Sequence, residues 1–184
     1  MLPQSPPVEN KPLVRFPAPL HLGIGGPVPR SLLPVLRMAM RRKVVFGEGR
    51  TNTCFGCGGD NPRGLRLEFF ETAEGVEAEY NVPEHLQGAP GIAHGGIQAT
   101  ILDEVLCMTA YAKLGTSVFT GELTVRYVQP VPTETPLVIR GRITESRGRS
   151  SFIEGAIHLA ATGEELTRAR GRFFPQKESR EAGS

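Results

Sequence analysis

What the chain lacks narrows its function before any motif is read. No run of about eighteen apolar residues exists, so no membrane-spanning helix is expected. Three cysteines, an odd number in a chain without a signal-peptide pattern, do not make a disulfide framework, and a reducing cytoplasm is the expected compartment. No internal repeat is visible. Strong net charge is missing too: 21 basic residues face 19 acidic ones. That balance argues against a nucleic-acid binder whose whole domain is basic. The small excess is local. Residues 1–50 hold eight Lys/Arg and two Glu, whereas residues 51–184 hold thirteen Lys/Arg against seventeen Asp/Glu.

At 184 residues the chain fits one domain with a real core. Residues 1–34 carry nine of the sixteen prolines, which exclude helix and central strand over most of that stretch. The expected organisation is a Pro-rich, basic and disordered N-terminal arm over 1–50, one domain over 51–175 and a polar tail over 176–184. Met38 and Met40 are alternative start points.

Cys54 and Cys57 stand in a Cys-x-x-Cys spacing within a Gly-rich stretch. A structural zinc site needs two further ligands, and neither a second Cys pair nor a His-x-His spacing exists. A redox motif should open a helix after a strand, but Gly56, Gly58, Gly59 and Pro62 make a loop. The stretch therefore reads as a turn-rich lead into the first strand, with no metal and no cofactor expected. From Gly64 apolar residues alternate: Leu65, Leu67 and Phe69, then Val76, Ala78 and Tyr80 after a turn, as in two strands of a hairpin. Pro83 to Pro90 read as an irregular connection.

Everything after Gly96 reads as one apolar-rich helix, which begins at His94-Gly95-Gly96. Two adjacent glycines leave the first amide N–H groups of that helix unshielded. Asp103 follows Gly96 by seven residues, two turns along the same stripe. It is an ionisable group on a face otherwise small or apolar. Glu104 is turned about 100° away, so the two carboxylates cannot share one pocket.

Strand patterns resume at Ser117–Val128, with Leu123, Val125 and Tyr127 on one face and Thr120, Glu122, Thr124 and Arg126 on the other. Leu137, Ile139 and Ile143 mark the next strand. Ile153, Ile157 and Leu159 mark the one after it, and a basic turn, Arg147-Gly-Arg-Ser150, lies between them. A last strand covers Glu164–Phe174, with Ala169, Gly171 and Phe173 facing the helix. The expected class is α+β: a twisted antiparallel sheet of five to six strands wrapped around one central helix.

The Gly88-x-Pro-Gly-x-Ala-His-Gly-Gly run, the Asp that follows and the strand order resemble the hot-dog-fold acyl-CoA thioesterase superfamily, over roughly residues 52–174. The resemblance implies hydrolysis of an acyl-CoA or related acyl thioester. It makes Asp103 the catalytic carboxylate, gives the Gly95 N–H the task of polarising the carbonyl, and places Thr120 where relatives orient water. His94 would support the carbonyl or hold the turn, Gly96 would belong to the substrate-binding helix start, and Arg147 and Arg149 would approach the phosphates of CoA. An obligate homodimer, or a dimer of such dimers, is implied, with Asp103 of one chain facing Gly95 of the other. Some relatives carry Asn six residues before the motif histidine, where this chain has Gly88. The competing function is a non-catalytic acyl-CoA binding or sensing protein on the same fold.

Overall fold

Two glycines and then an unbroken run of helix-compatible residues form one long helix. The computed structural model describes residues 41–176 except 48 and 50, so most of the expected arm and tail lies outside the described residues. Helix α1 spans Gly95–Leu114 and ends at Gly115, whose φ of 70° is the left-handed conformation that glycine adopts without penalty. Ile101, Leu102, Val105 and Leu106 on α1 are fully buried. At about 1.5–3 kcal/mol for each such side chain, this burial outweighs intrinsic helix propensity as the reason the segment is ordered. Among the described residues no helix is long and apolar enough to cross a membrane.

The helix packs on an antiparallel sheet of seven strands. In chain order its strands are β1 (Lys43–Val44), β2 (Phe69–Glu71), β3 (Gly75–Asn81), β6 (Val118–Tyr127), β7 (Pro136–Arg147), β8 (Ser150–Leu159) and β9 (Glu165–Pro175). The spatial order is β1-β2-β3-β7-β8-β9-β6. A separate ribbon pairs β4 (Gln87–Ala89) with β5 (Ile92–Ala93). Phe69, Val76, Ala78, Leu137, Ile139, Ile153, Ile157 and Phe173 present the sheet's buried face to α1. Gly141, Gly155 and Ala169 sit side by side across β7, β8 and β9. A Cβ at Gly141 would lie 2.3 Å from Thr109 Oγ1 and one at Gly155 2.8 Å from Leu106 Cδ2, so this row of small residues lets the helix backbone approach the sheet.

The α+β architecture and the helix-facing set Ala169, Gly171 and Phe173 stand as the sequence implies. Four local expectations change. Strand β2 begins only at Phe69, although Leu65 and Leu67 are buried in the expected alternation. The Leu65 and Leu67 N–H groups donate instead to the carbonyls of Phe55 and Gly56, so the Cys-x-x-Cys loop takes the bonds a partner strand would have used. Residues 83–90 contain a 3-10 turn at Glu84–Leu86 and strand β4 rather than an irregular connection. Lys43–Val44, inside the expected arm, pair with β2 and raise the strand count to seven. They are held there by ion pairs of Arg41 with Glu77 and of Lys43 with Glu68. Thr120 is the fourth. A bulge between Thr120 and Glu122 breaks the alternation, so Thr120, though exposed, lies opposite Phe173 on the helix-facing side, the same side as Leu123 opposite Gly171.

Candidate active site

The helix start is built by His94 from both its backbone and its ring. The His94 carbonyl accepts from the N–H groups of Ile97 and Gln98, and His94 Nδ1 accepts from the Gly96 N–H at 3.0 Å. The ring therefore caps the helix, with Nδ1 as the acceptor. Of the two glycine N–H groups expected to be open, that of Gly96 is taken by the cap. The Gly95 N–H has no acceptor among the described residues. The Gly95 carbonyl accepts from the Tyr127 hydroxyl at 3.0 Å, which ties the helix start to the end of β6. A buried amide locks it from the other side: Gln98 donates to the Ala93 carbonyl at 2.9 Å and accepts from the Thr167 hydroxyl at 2.6 Å. Both side chains are buried and satisfied, so they fix the register of α1 on β9.

Two turns along the helix, the carboxylates diverge as the helical angle requires. Asp103 Oδ1 accepts from the Thr120 hydroxyl at 2.7 Å. Cys107 lies 3.4 Å from the same hydroxyl oxygen, and because Thr120 donates to Asp103, the thiol donates to Thr120. Burial, and then the charges of Asp103 and Glu104, push the Cys107 thiol up to about 12, against the lowering effect of its contact with Thr120. It is a neutral thiol near pH 7, not a nucleophile. Among the described residues no cation pairs with Asp103. Asp103 and the Gly95 N–H are eight residues apart on one straight helix, roughly 12 Å.

Glu104 points to the Cys-x-x-Cys loop, where its Oε1 accepts from Cys54 at 3.1 Å. Cys57 is raised to about 12 by burial and by the Glu104 charge, so it is not the ionised thiol that the redox reading requires.

Arg147 and Arg149 are exposed at the β7–β8 turn. Arg147 pairs with Glu145, which raises its already high pKa, and lies 5.9 Å from the centre of the Phe152 ring. Both arginines line a cleft with Ser150, Arg172 and Phe174. Arg172 escaped the sequence reading because it sits on β9, remote in sequence from the turn. Its guanidinium lies over Phe174 at 4.9 Å and donates to Ser150 at 3.2 Å. Tyr127, Gln98 and Cys107 were also missed. Each acts through a neighbour brought close only by the fold, and no spacing in the sequence marks them.

Comparison with known proteins places this geometry. Residues 90–165 match the profile of the thioesterase superfamily. Acyl-coenzyme A thioesterase THEM4 of Rattus norvegicus is 36% identical over 86 residues, 42% of this chain and 36% of that protein. The same protein of Bos taurus is 31% identical over 98 residues, 52% of this chain and 40% of that protein. The match thus spans less than half the length of these curated relatives. Among solved structures, a thioesterase superfamily protein superposes with a TM-score of 0.58 at 30% identity, covering 63% of this chain and 60% of that one. Thioesterase superfamily member 2 of zebrafish shares the fold, with a TM-score of 0.57 at 20% identity over 66% of this chain and 88% of that one. With a seven-stranded antiparallel sheet packed on one long helix and a match over residues 90–165 that covers the helix start, Asp103 and Thr120, the chain is similar in fold and in this stretch of sequence to hot-dog domains of the thioesterase superfamily.

Proposed function

We propose that the protein hydrolyses an acyl-CoA or related acyl thioester to the free acid and the thiol. The observation that carries this reading is the Asp103–Thr120 pair, a carboxylate without a cation, held by one hydroxyl beside an open strand edge. Asp103 either takes a proton from the attacking water or attacks the carbonyl itself, with water then cleaving the mixed anhydride. In both routes water supplies the oxygen of the new acid and the thiol leaves with a proton. Thr120 fixes which carboxylate oxygen is free to act. The Gly95 N–H, at the positive end of α1, stabilises the oxyanion without reorganisation.

The separation of roughly 12 Å along α1 supports a site that two chains assemble. Strand β6 is one edge of the sheet, and α1 touches it at both ends: Asp103 at Thr120 and Gly95 at Tyr127. Antiparallel pairing of β6 with a second copy, about a two-fold axis near Thr124, brings the Thr120 end of one chain to the Tyr127 end of the other. Asp103 then faces Gly95 of the partner subunit, and both strand edges are paired. The basic cleft of Arg147, Arg149 and Arg172 supplies donors for CoA phosphates.

The test is thiol release from a panel of acyl-CoA esters, followed by hybrid formation. Asp103→Asn and Gly95→Pro proteins, each inactive, should regain activity when refolded together, through dimers that carry one intact site. Proline is tolerated at the first helical position and removes the N–H, while its Cβ would lie 3.3 Å from the Tyr127 hydroxyl, which must give slightly. Binding of acyl-CoA with no hydrolysis of any panel member would establish the sensing protein instead. No recovery despite demonstrated hybrids would place the whole site in one chain.

A further inference from the structure

The two thiols without a role in hydrolysis meet a third donor in space. Cys54 Sγ, Cys57 Sγ and a Glu104 carboxylate oxygen all lie within 4.8 Å of one another. We propose that Cys54, Cys57 and Glu104 form a zinc site, with water as the fourth ligand, that clasps the loop of residues 52–65 to helix α1. The proposal stands apart from thioester hydrolysis: Glu104 faces away from Asp103, and the metal, with three protein donors and a water in place of the fourth ligand of a closed structural site, tethers the loop to the helix.

Three features of the loop support it. The first is its fit to the ligand geometry. Zinc–sulfur bonds of about 2.3 Å and zinc–oxygen bonds of about 2.0–2.2 Å put tetrahedral ligands roughly 3.5–3.8 Å apart. Donors already within 4.8 Å reach that spacing by small side-chain rotations. The second is that the loop is shaped around the cluster. A Cβ at Gly56 would lie 2.1 Å from Glu104 Cγ, and one at Gly58 would lie 2.5 Å from the Cys54 nitrogen and oxygen. The Gly58 N–H closes the turn on the Cys54 carbonyl at 3.0 Å. Glycine at both positions lets the carboxylate and the two sulfurs converge. The third is the outer layer. Asn52 points its amide at Cys57 Sγ at 3.7 Å and accepts from the Cys54 N–H at 3.0 Å, and its own N–H donates to Asp60 at 2.8 Å. An N–H aimed at sulfur is the kind of support that orients a metal-bound thiolate.

The donor set selects the metal. Two thiolates with one carboxylate favour zinc over magnesium or calcium, which take oxygen ligands. Among the described residues no Lys or Arg pairs with Glu104, so its half-buried charge has only the thiols beside it. A cation would balance it. Cys57, Asn52 and Asp60 line a surface cleft, which gives the ion a route in. Binding releases the two thiol protons to solvent. In sequence the site is hidden because its third ligand lies on α1, far from the Cys-x-x-Cys pair, and is not a cysteine or histidine.

The experiment uses the full chain, incubated with zinc, desalted and assayed for metal by mass spectrometry, with cobalt(II) titration as the optical probe. One zinc per chain and thiolate-to-cobalt charge-transfer absorption are expected. A Cys54→Ser/Cys57→Ser protein should lose both. Glu104→Gln should keep the absorption and weaken cobalt binding by tenfold or more. Zinc should raise the Tm of the parental protein, since a ligand that binds only the folded state stabilises it. If the folded parental chain desalts without zinc and shows no charge-transfer absorption, the site does not exist, and this holds even where the double variant fails to fold. Retention of zinc by the double variant would place the metal elsewhere. Unchanged cobalt affinity in Glu104→Gln would remove the third ligand and with it the clasp.

Discussion

Asp103 and Glu104 are neighbours in sequence and both half-buried on the same helix, yet they meet different surroundings. Asp103 faces a hydroxyl on the free edge strand of the sheet, where a second molecule or a substrate can approach. Glu104 is covered by a loop whose glycine leaves room for it and whose cysteines are its partners. One residue of helix, about 100° of rotation, separates a carboxylate placed for chemistry from one enclosed by its own chain. Residue type is the same kind on both sides. What lies across from each decides what it can do.

The sharpest way to break that contrast is Asp103→Asn, which keeps shape and removes the base or nucleophile. Turnover of an acyl-CoA should fall by about a hundredfold or more with little change in KM. Thr120→Val should follow with a loss of about tenfold in kcat, the size of one hydrogen bond to a charged group, while the fold by circular dichroism stays unchanged. Replacing Arg147 and Arg149 together by Ala should raise KM for acyl-CoA several-fold and leave a thioester without the nucleotide unaffected. Equal effects on both substrates would remove the phosphate role. Glu104→Gln should change turnover least, by less than about twofold. A loss in that variant equal to that of Asp103→Asn would reverse the assignment of the two carboxylates.

A smaller effect reads the environment behind Asp103. The Cys107 thiol is raised from 9.0 to about 12 in the folded chain, so its contribution to stability is complete below pH 9 and is lost as pH rises from there toward 12. Urea unfolding of a Cys107→Ala protein should therefore show a shallower decline over that window than the parental chain. Identical slopes would mean that Cys107 titrates as freely in the folded chain as in the unfolded one.

The long-period features were legible in sequence. Helix α1 declares itself by a Gly-Gly start and an apolar stripe, β7 to β9 by alternation between clear turns, and the Asp103/Glu104 divergence by helical geometry alone. Features that depend on where a backbone bond goes were not. Leu65 and Leu67 carry a strand's alternation, but their N–H groups serve Phe55 and Gly56. Lys43–Val44 is too short to signal a strand and is ordered by its pairing with Phe69–Phe70 and by ion pairs to distant residues. Gly96 reads as open until the His94 ring is seen to occupy its N–H. In each case the local pattern is right and a partner remote in sequence redirects it.

The bulge in β6 works as a change of parity in the strand. Upstream of it odd and even positions exchange faces, which is how Thr120 and Leu123 come to share a side although their numbers differ by three. Only the strand segment before the bulge is affected, and within one chain β6 is an edge of the sheet, so no strand beyond it in that chain has to match the shift. Deleting Gly121 would restore strict alternation and leave Thr120 opposite Phe173, still facing Asp103, whereas the same sequence paired without the bulge would put Gly121 there and turn Thr120 away. The pairing of this strand is therefore as informative as its letters, since loss of the bulge with Gly121 kept would rearrange the site although every residue of the motif is retained.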